Sequence, residues 1–193
     1  MLHRYYHSTT PDNARSILLG GFQDRCDSGL VGKSGVWVGS IPAITSIALD
    51  QFLGHLEESW LMVEVPFSLE QYWIPDDSWP GLQFLVPAVI INQGIITEIS
   101  AVDVIQTRRK QSVTFLDNLW ATIEELRPNY DLLTNGDERE WYRSEFGDAR
   151  LISRVEAGIE HRDRYLKWLR AIASAAPECQ QRAIALASEA LTI

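Results

Sequence analysis

Three short stretches of this chain carry side chains able to hold a polar ligand. They are Tyr5-Tyr6-His7-Ser8-Thr9-Thr10, then Gly35-Val36-Trp37-Val38-Gly39, and later Gln83-Phe84-Leu85-Val86-Pro87. An imidazole at position 7 can donate or accept a hydrogen bond, an indole at position 37 offers a broad stacking face, and a carboxamide at position 83 accepts without bringing charge. Taken singly, each has a plainer reading. His7 is then a polar residue at a strand end, Trp37 a core tryptophan and Gln83 an ordinary strand start.

The surrounding pattern says which elements must position them. Leu2, Arg4 and Tyr6 alternate with His3, Tyr5 and His7, so a strand ends near His7 and its last polar side chains can face a cleft. Thr10 offers a hydroxyl as helix N-cap, and Pro11 takes the first helical position, where a missing N–H costs nothing. The spacing of Ala14, Ile17 and Leu18 predicts a helix to about Leu19, with Gly20-Gly21 permitting its stop. Gly35 to Gly39 reads as a second short strand from which Trp37 projects.

The string from Tyr6 to Phe22, Tyr-His-Ser-Thr-Thr-Pro-Asp-Asn-Ala-x-Ser-Ile-Leu-x-x-Gly-Phe, followed by Gly-Val-Trp-Val, resembles the opening of the ADP-ribosyltransferase-like superfamily. The branch it resembles holds the poly-ADP-ribose polymerases and the tRNA 2′-phosphotransferases. The resemblance implies an α+β fold, a pair of packed, mainly antiparallel sheets with flanking helices, and NAD as substrate, extended across the strand ends. It implies that His7 hydrogen-bonds the adenosine ribose, that backbone groups at Ser8 and Thr9 grip the nicotinamide amide, and that Trp37, where the family usually has Tyr, stacks on the nicotinamide ring. Departure of that ring leaves an oxocarbenium-like ribose for a nucleophile. A second aromatic is expected from the next helix near position 48; Ala48 cannot stack, which leaves Phe52, one turn later, or a one-sided sandwich.

The family's third motif usually opens a later strand with Glu, and Gln83 is its counterpart here. As the implied catalytic residue Gln83 can accept the same bond from the nicotinamide ribose, but charge-assisted bonds are roughly twice as strong as neutral ones. Three activities follow from the resemblance. The first is mono-ADP-ribosyl transfer to a macromolecular acceptor, protein or nucleic acid, in a bacterial toxin or defence setting. The second is a catalytically silent module that binds NAD, ADP-ribose or a protein partner. The third is a tRNA 2′-phosphotransferase-like activity, with Arg4 and Arg15 near His7.

Composition bounds these readings. The 193 residues carry a net charge of −9, with seven basic and twelve acidic residues up to Ser112 and ten and fourteen beyond. Such a balance argues against avid, sequence-independent binding to nucleic acid and against the third activity. Arg108-Arg109-Lys110 is the one clean basic cluster, read as a solvated turn. Two distant cysteines and four histidines show no metal-ligand spacing, so no metal is expected. No apolar run approaches the roughly 20 residues a membrane span needs, and no signal-peptide pattern opens the chain, so a cytoplasmic protein without membrane contact is expected. No Gly-x-Gly-x-x-Gly or Walker-type loop appears.

Beyond the second motif, Ser40 to Leu53 reads as a helix, Trp60 to Pro66 as a strand, and Phe67 to Leu82 as a long loop carrying Trp73 and Trp79. Gln83–Pro87, Ile90–Asn92, Ile95–Ile99 and Val102–Thr107 read as short β-branched strands. The pattern then changes. Leu116 to Leu126 and Glu138 to Ala173 repeat apolar residues every three or four positions, with a break near Gly147 or Gly158, and Pro177 starts a last helix ending near Leu191. This divides the chain into an ADP-ribosyltransferase-like NAD-binding domain over residues 1–112 and a helical appendage over 113–193. The resemblance does not reach the appendage, which packs on the body or meets a partner such as an antitoxin.

Overall fold

A computed structural model describes residues 2–26, 34–42, 59–75, 81–125 and 135–191. The chain divides into two compact units, Met1–Gln111 and Ser112–Ile193.

In the first unit the elements run β1 (His3–Thr9), α1 (Pro11–Gly20), β2 (Arg25–Cys26), β3 (Ser34–Gly39), β4 (Ser59–Val65), β5 (Trp73–Ile74), β6 (Gln83–Val86), α2 (Ala88–Ile91), β7 (Ile95–Ile99) and α3 (Ala101–Gln111). The sheet order is β5-β6-β3-β1-β4-β7, with β2 off this path beside β3, and all pairings are antiparallel. The fold is α+β. The expected pair of sheets is corrected to one sheet among the described residues, but that sheet has a seam. Strand β1 pairs with β4 from His3↔Val65 to Thr9↔Ser59, yet with β3 only at Tyr6↔Gly39. A block of β2, β3, β5 and β6 and a block of β1, β4 and β7 therefore meet at one narrow joint.

Residues paired across an antiparallel ladder share a face, and neighbours along a strand alternate. Tyr5, Val36, Val38, Leu61, Val63, Val65, Phe84 and Val86 consequently form one apolar face, on which Ala14 of α1 and Ala88 and Ile91 of α2 are buried. Each buried valine or leucine there contributes about 1.5–3 kcal/mol. Tyr5 sets its ring edge-on to Phe84 at 5.2 Å and accepts a bond from the Leu69 amide at 2.9 Å, so its hydroxyl is satisfied inside the core. The opposite face carries Tyr6, Trp60 and Leu85. Helix α3 lies there, since Thr107 hydrogen-bonds the Tyr6 hydroxyl; burial pushes the Tyr6 phenol up, against the pull of Arg4 and Thr107.

Two expected strands are helices. Residues Val102 to Thr107 lie in α3 because Ser100 and Asp103 form a reciprocal cap. The Ser100 amide donates to Asp103 Oδ2 at 2.9 Å and the Asp103 amide donates to Ser100 Oγ at 3.2 Å. That cap starts a helix whose Val104 and Ile105 are fully buried, overriding their β-branched preference. Ile90 falls in the single turn of α2, closed by the Ile90 amide on the Pro87 carbonyl at 2.9 Å. The long loop after Phe67 holds a 3-10 turn at Glu70–Tyr72 and then β5, which puts Trp73 opposite Phe84. Arg108 is no solvated turn residue: it is half-buried in the last turn of α3 and donates to the Pro42 carbonyl at 3.2 Å.

The second unit holds α4 (Phe115–Glu125), α5 (Gly136–Phe146), α6 (Asp148–Ala175) and α7 (Gln180–Leu191). The break falls at Gly147, whose φ of 83° only glycine adopts at ease, while Gly158 stays helical. Tyr165, Leu166, Trp168, Leu169 and Ile172 of α6 are buried, as are Ala183 and Ala190 of α7. Trp120 of α4 donates from its indole to Cys179 Sγ at 3.1 Å and lies under the Arg182 guanidinium, which also pairs with Glu124.

Candidate ligand-binding cleft

The cleft begins where the sheet comes apart. Past Tyr6↔Gly39, strand β1 departs from β3 while keeping its register to β4 as far as Thr9, and Thr10 and Pro11 then turn the chain into α1. Thr10 is extended, and its Oγ1 accepts from the Asn13 amide at 3.3 Å. The helix stops at Gly21, whose φ of 78° suits glycine and whose amide donates to the Ile17 carbonyl at 2.8 Å. Between the end of β1, the inner side of α1 and the start of β3 lies a cleft of about 540 Å³. That volume is within the range of small-molecule sites.

His7, Ser8, Thr9 and Trp37 all line this cleft, joined by Asn13 and Ser16 of α1. His7 Nδ1 lies 2.8 Å from the Trp37 carbonyl oxygen. A carbonyl only accepts, so the proton sits on Nδ1, and in the neutral ring Nε2 is the nitrogen with a lone pair. The Phe22 ring, buried in the apolar core, meets the imidazole edge-on at 5.2 Å and 85°. The ring of His7 is thus fixed by a hydrogen bond on one side and an aromatic contact on another.

Gln83 is placed differently. It opens β6 as expected, but it does not belong to the lining of this cleft. Pairing sets it in one row with Gly39 and Tyr6, two strands over, so by parity it shares a sheet face with Tyr6 and Trp37 and not with His7. Its residue is 7% exposed. The absence of a side chain at Gly39 makes room for it: a Cβ there would lie 3.1 Å from Gln83 Nε2 and 2.9 Å from the Ile41 carbonyl. Among the described residues no hydrogen bond to the Gln83 carboxamide is found. Phe52 and Ala48, with the helix expected around them, lie outside the described residues, as does Trp79.

Some lining residues carried no role in the sequence. Asn13 and Ser16 stand three apart, the spacing of one helix face, so their joint placement was legible once α1 was given. Phe22 and its holder Asn92, which bonds Phe22 from 70 residues away, have no local signal at all. Among the described residues no cluster of three His, Cys, Asp or Glu suits a metal ion, and no helix is long and apolar enough to cross a membrane. No protein-family model, curated protein or solved structure matches the chain.

Proposed function

We propose that the first unit is an ADP-ribosyltransferase-like module that takes NAD as substrate in the His7 cleft and passes ADP-ribose to a macromolecular acceptor, protein or nucleic acid. One observation carries this reading. The three stretches that bear the resemblance, far apart in sequence, are neighbouring strands β1, β3 and β6, and the first two part around a cleft with His7 and Trp37 bonded across its root.

When bound, NAD supplies a ribose whose bond to nicotinamide breaks with the electron pair leaving on the nicotinamide. The residues of the chain have the following parts. His7 hydrogen-bonds a ribose hydroxyl, its tautomer set by the Trp37 carbonyl. Backbone groups at Ser8 and Thr9 hold the carboxamide, and Trp37, a lining residue on the opposite sheet face from His7, offers a flat face for a planar ring. Gln83, outside the lining of this cleft, stands where the resemblance implies a charged acceptor, and an uncharged amide there favours slow single transfer over polymer growth. Exposed Trp141, Phe146 and Ile152 of the second unit are where a protein partner, an antitoxin included, would find apolar surface.

A silent binding module is the second reading, and the placement of Gln83 outside the cleft lining favours it. Thermal stability with and without NAD, read beside released nicotinamide by mass spectrometry, separates the two. Stabilisation of the wild type and not of His7→Ala, with nicotinamide appearing, supports transfer. Stabilisation alone supports the silent module, and neither signal removes NAD from the account.

A further inference from the structure

One wall of the cleft is the turn at the end of α1, Gly20 to Gln23, and side-chain hydrogen bonds tie this stretch and the adjoining Asp24 to residues far along the chain, Asn92 and Ala88. Asn92, just past α2, accepts from the Phe22 amide through Oδ1 at 2.8 Å and donates from Nδ2 to the Phe22 carbonyl at 2.9 Å. The carboxamide pairs with both polar groups of one residue, as a neighbouring strand would. Asp24 Oδ1 accepts from the Ala88 amide at 2.7 Å, pinning the same turn to α2 a second time. Gly21 completes the arrangement. A Cβ at this position would lie 3.0 Å from Asn92 Oδ1, and its φ of +78° strains any other residue.

Phe22 is the residue whose ring rests against the imidazole of His7. We infer that Asn92 is a positioning residue: by clamping the Phe22 backbone it holds the Phe22 ring against His7, and so sets the direction of the imidazole in the cleft. As a role in NAD binding this rests on the function proposed above; as a role in placing His7 it stands without it. Asn92 itself is exposed, so its replacement removes two bonds without emptying a core site, and the chain keeps its fold.

The test follows the His7 ring carbon and proton resonances in the full chain, assigned by their loss in His7→Ala. In folded Asn92→Ala these resonances move, and NAD affinity read by thermal shift falls roughly three- to tenfold, the scale of one or two hydrogen bonds. Asn92→Asp keeps the acceptor for the Phe22 amide and returns the resonances part of the way. Unmoved His7 resonances in folded Asn92→Ala overturn the inference, whatever happens to NAD. Moved resonances in a protein whose wild type shows no stabilisation by NAD uphold Asn92 and defeat the NAD reading. Should Asn92→Ala fail to fold, the same comparison with Asn92→Asp decides, with unmoved resonances again counting against the clamp.

Discussion

The His7 imidazole bonds the Trp37 carbonyl across 2.8 Å at the place where β1 and β3 separate. It stands where the two strands no longer make ladder bonds, and it ties the first motif to the second through the backbone of Trp37, the residue proposed to stack. His7→Ala is expected to lose any stabilisation by NAD and all nicotinamide release, while unfolding only a few degrees lower, since a net hydrogen bond is worth about 0.5–1.5 kcal/mol. Differential scanning fluorimetry with the mass-spectrometric assay measures both; retained turnover would remove His7 from the site.

Trp37 tests the stacking role apart from the carbonyl. Its backbone oxygen survives any side-chain change, so Trp37→Phe should keep the His7 bond and most ligand affinity. Trp37→Ala should weaken affinity by roughly tenfold, in line with about 0.5–1.5 kcal/mol for an aromatic pair plus lost apolar contact. Calorimetric titration with NAD compares the two, and equal affinities would return Trp37 to a packing role.

Gln83→Glu places a carboxyl in a site that is 7% exposed. Burial raises a carboxyl above its ordinary value of about 4.3. The folded variant then holds a proton that the unfolded chain has released, so its stability falls as pH rises through that window. Urea unfolding at pH 5 and pH 8 should show the variant losing stability relative to wild type at the higher pH. Nicotinamide release should rise over the same interval as the charge appears, and a flat, unchanged rate would take Gln83 out of the chemistry.

The cap of α3 has its own pH signature. The Ser100 hydroxyl, then the Ser100 amide, hold the Asp103 carboxyl below its usual range. A depressed acid contributes stability that is present above its unfolded value of about 3.9 and is lost as pH falls through the folded one. Ser100→Ala should cost about 1 kcal/mol at pH 7. It should cost less near pH 3, where Asp103 is losing its charge in either protein. Chemical unfolding at both pH values checks this, and an equal cost at each would mean the carboxylate adds nothing to the cap.

Much of this was legible along the chain, because the signals are local. Tyr5 and His7 alternate with Tyr6 on a strand, Thr10 and Pro11 begin a helix, Gly147 ends one, and the repeat from Leu166 to Ile172 marks a buried stripe; each depends on residues within one or two turns. Local reading erred where two local signals competed. Val102 to Thr107 has strand-like side chains, but Ser100 and Asp103 close a cap, and the start of a helix outweighs a β-branched preference that amounts to tenths of a kcal/mol per residue.

What only the tertiary structure decided is which strands are neighbours and which way their side chains point. That β6, β3 and β1 adjoin, that Tyr6↔Gly39 is the seam, and that Gln83 lies on the Trp37 face and outside the lining of the His7 cleft are all matters of register. A shift of one residue in pairing turns every side chain to the other face, and nothing in the types of Gln83 or His7 encodes that parity. The hold of Asn92 on Phe22 is of the same kind: it joins residues 70 apart, and a bond over that span exists only after the sheet between them has formed.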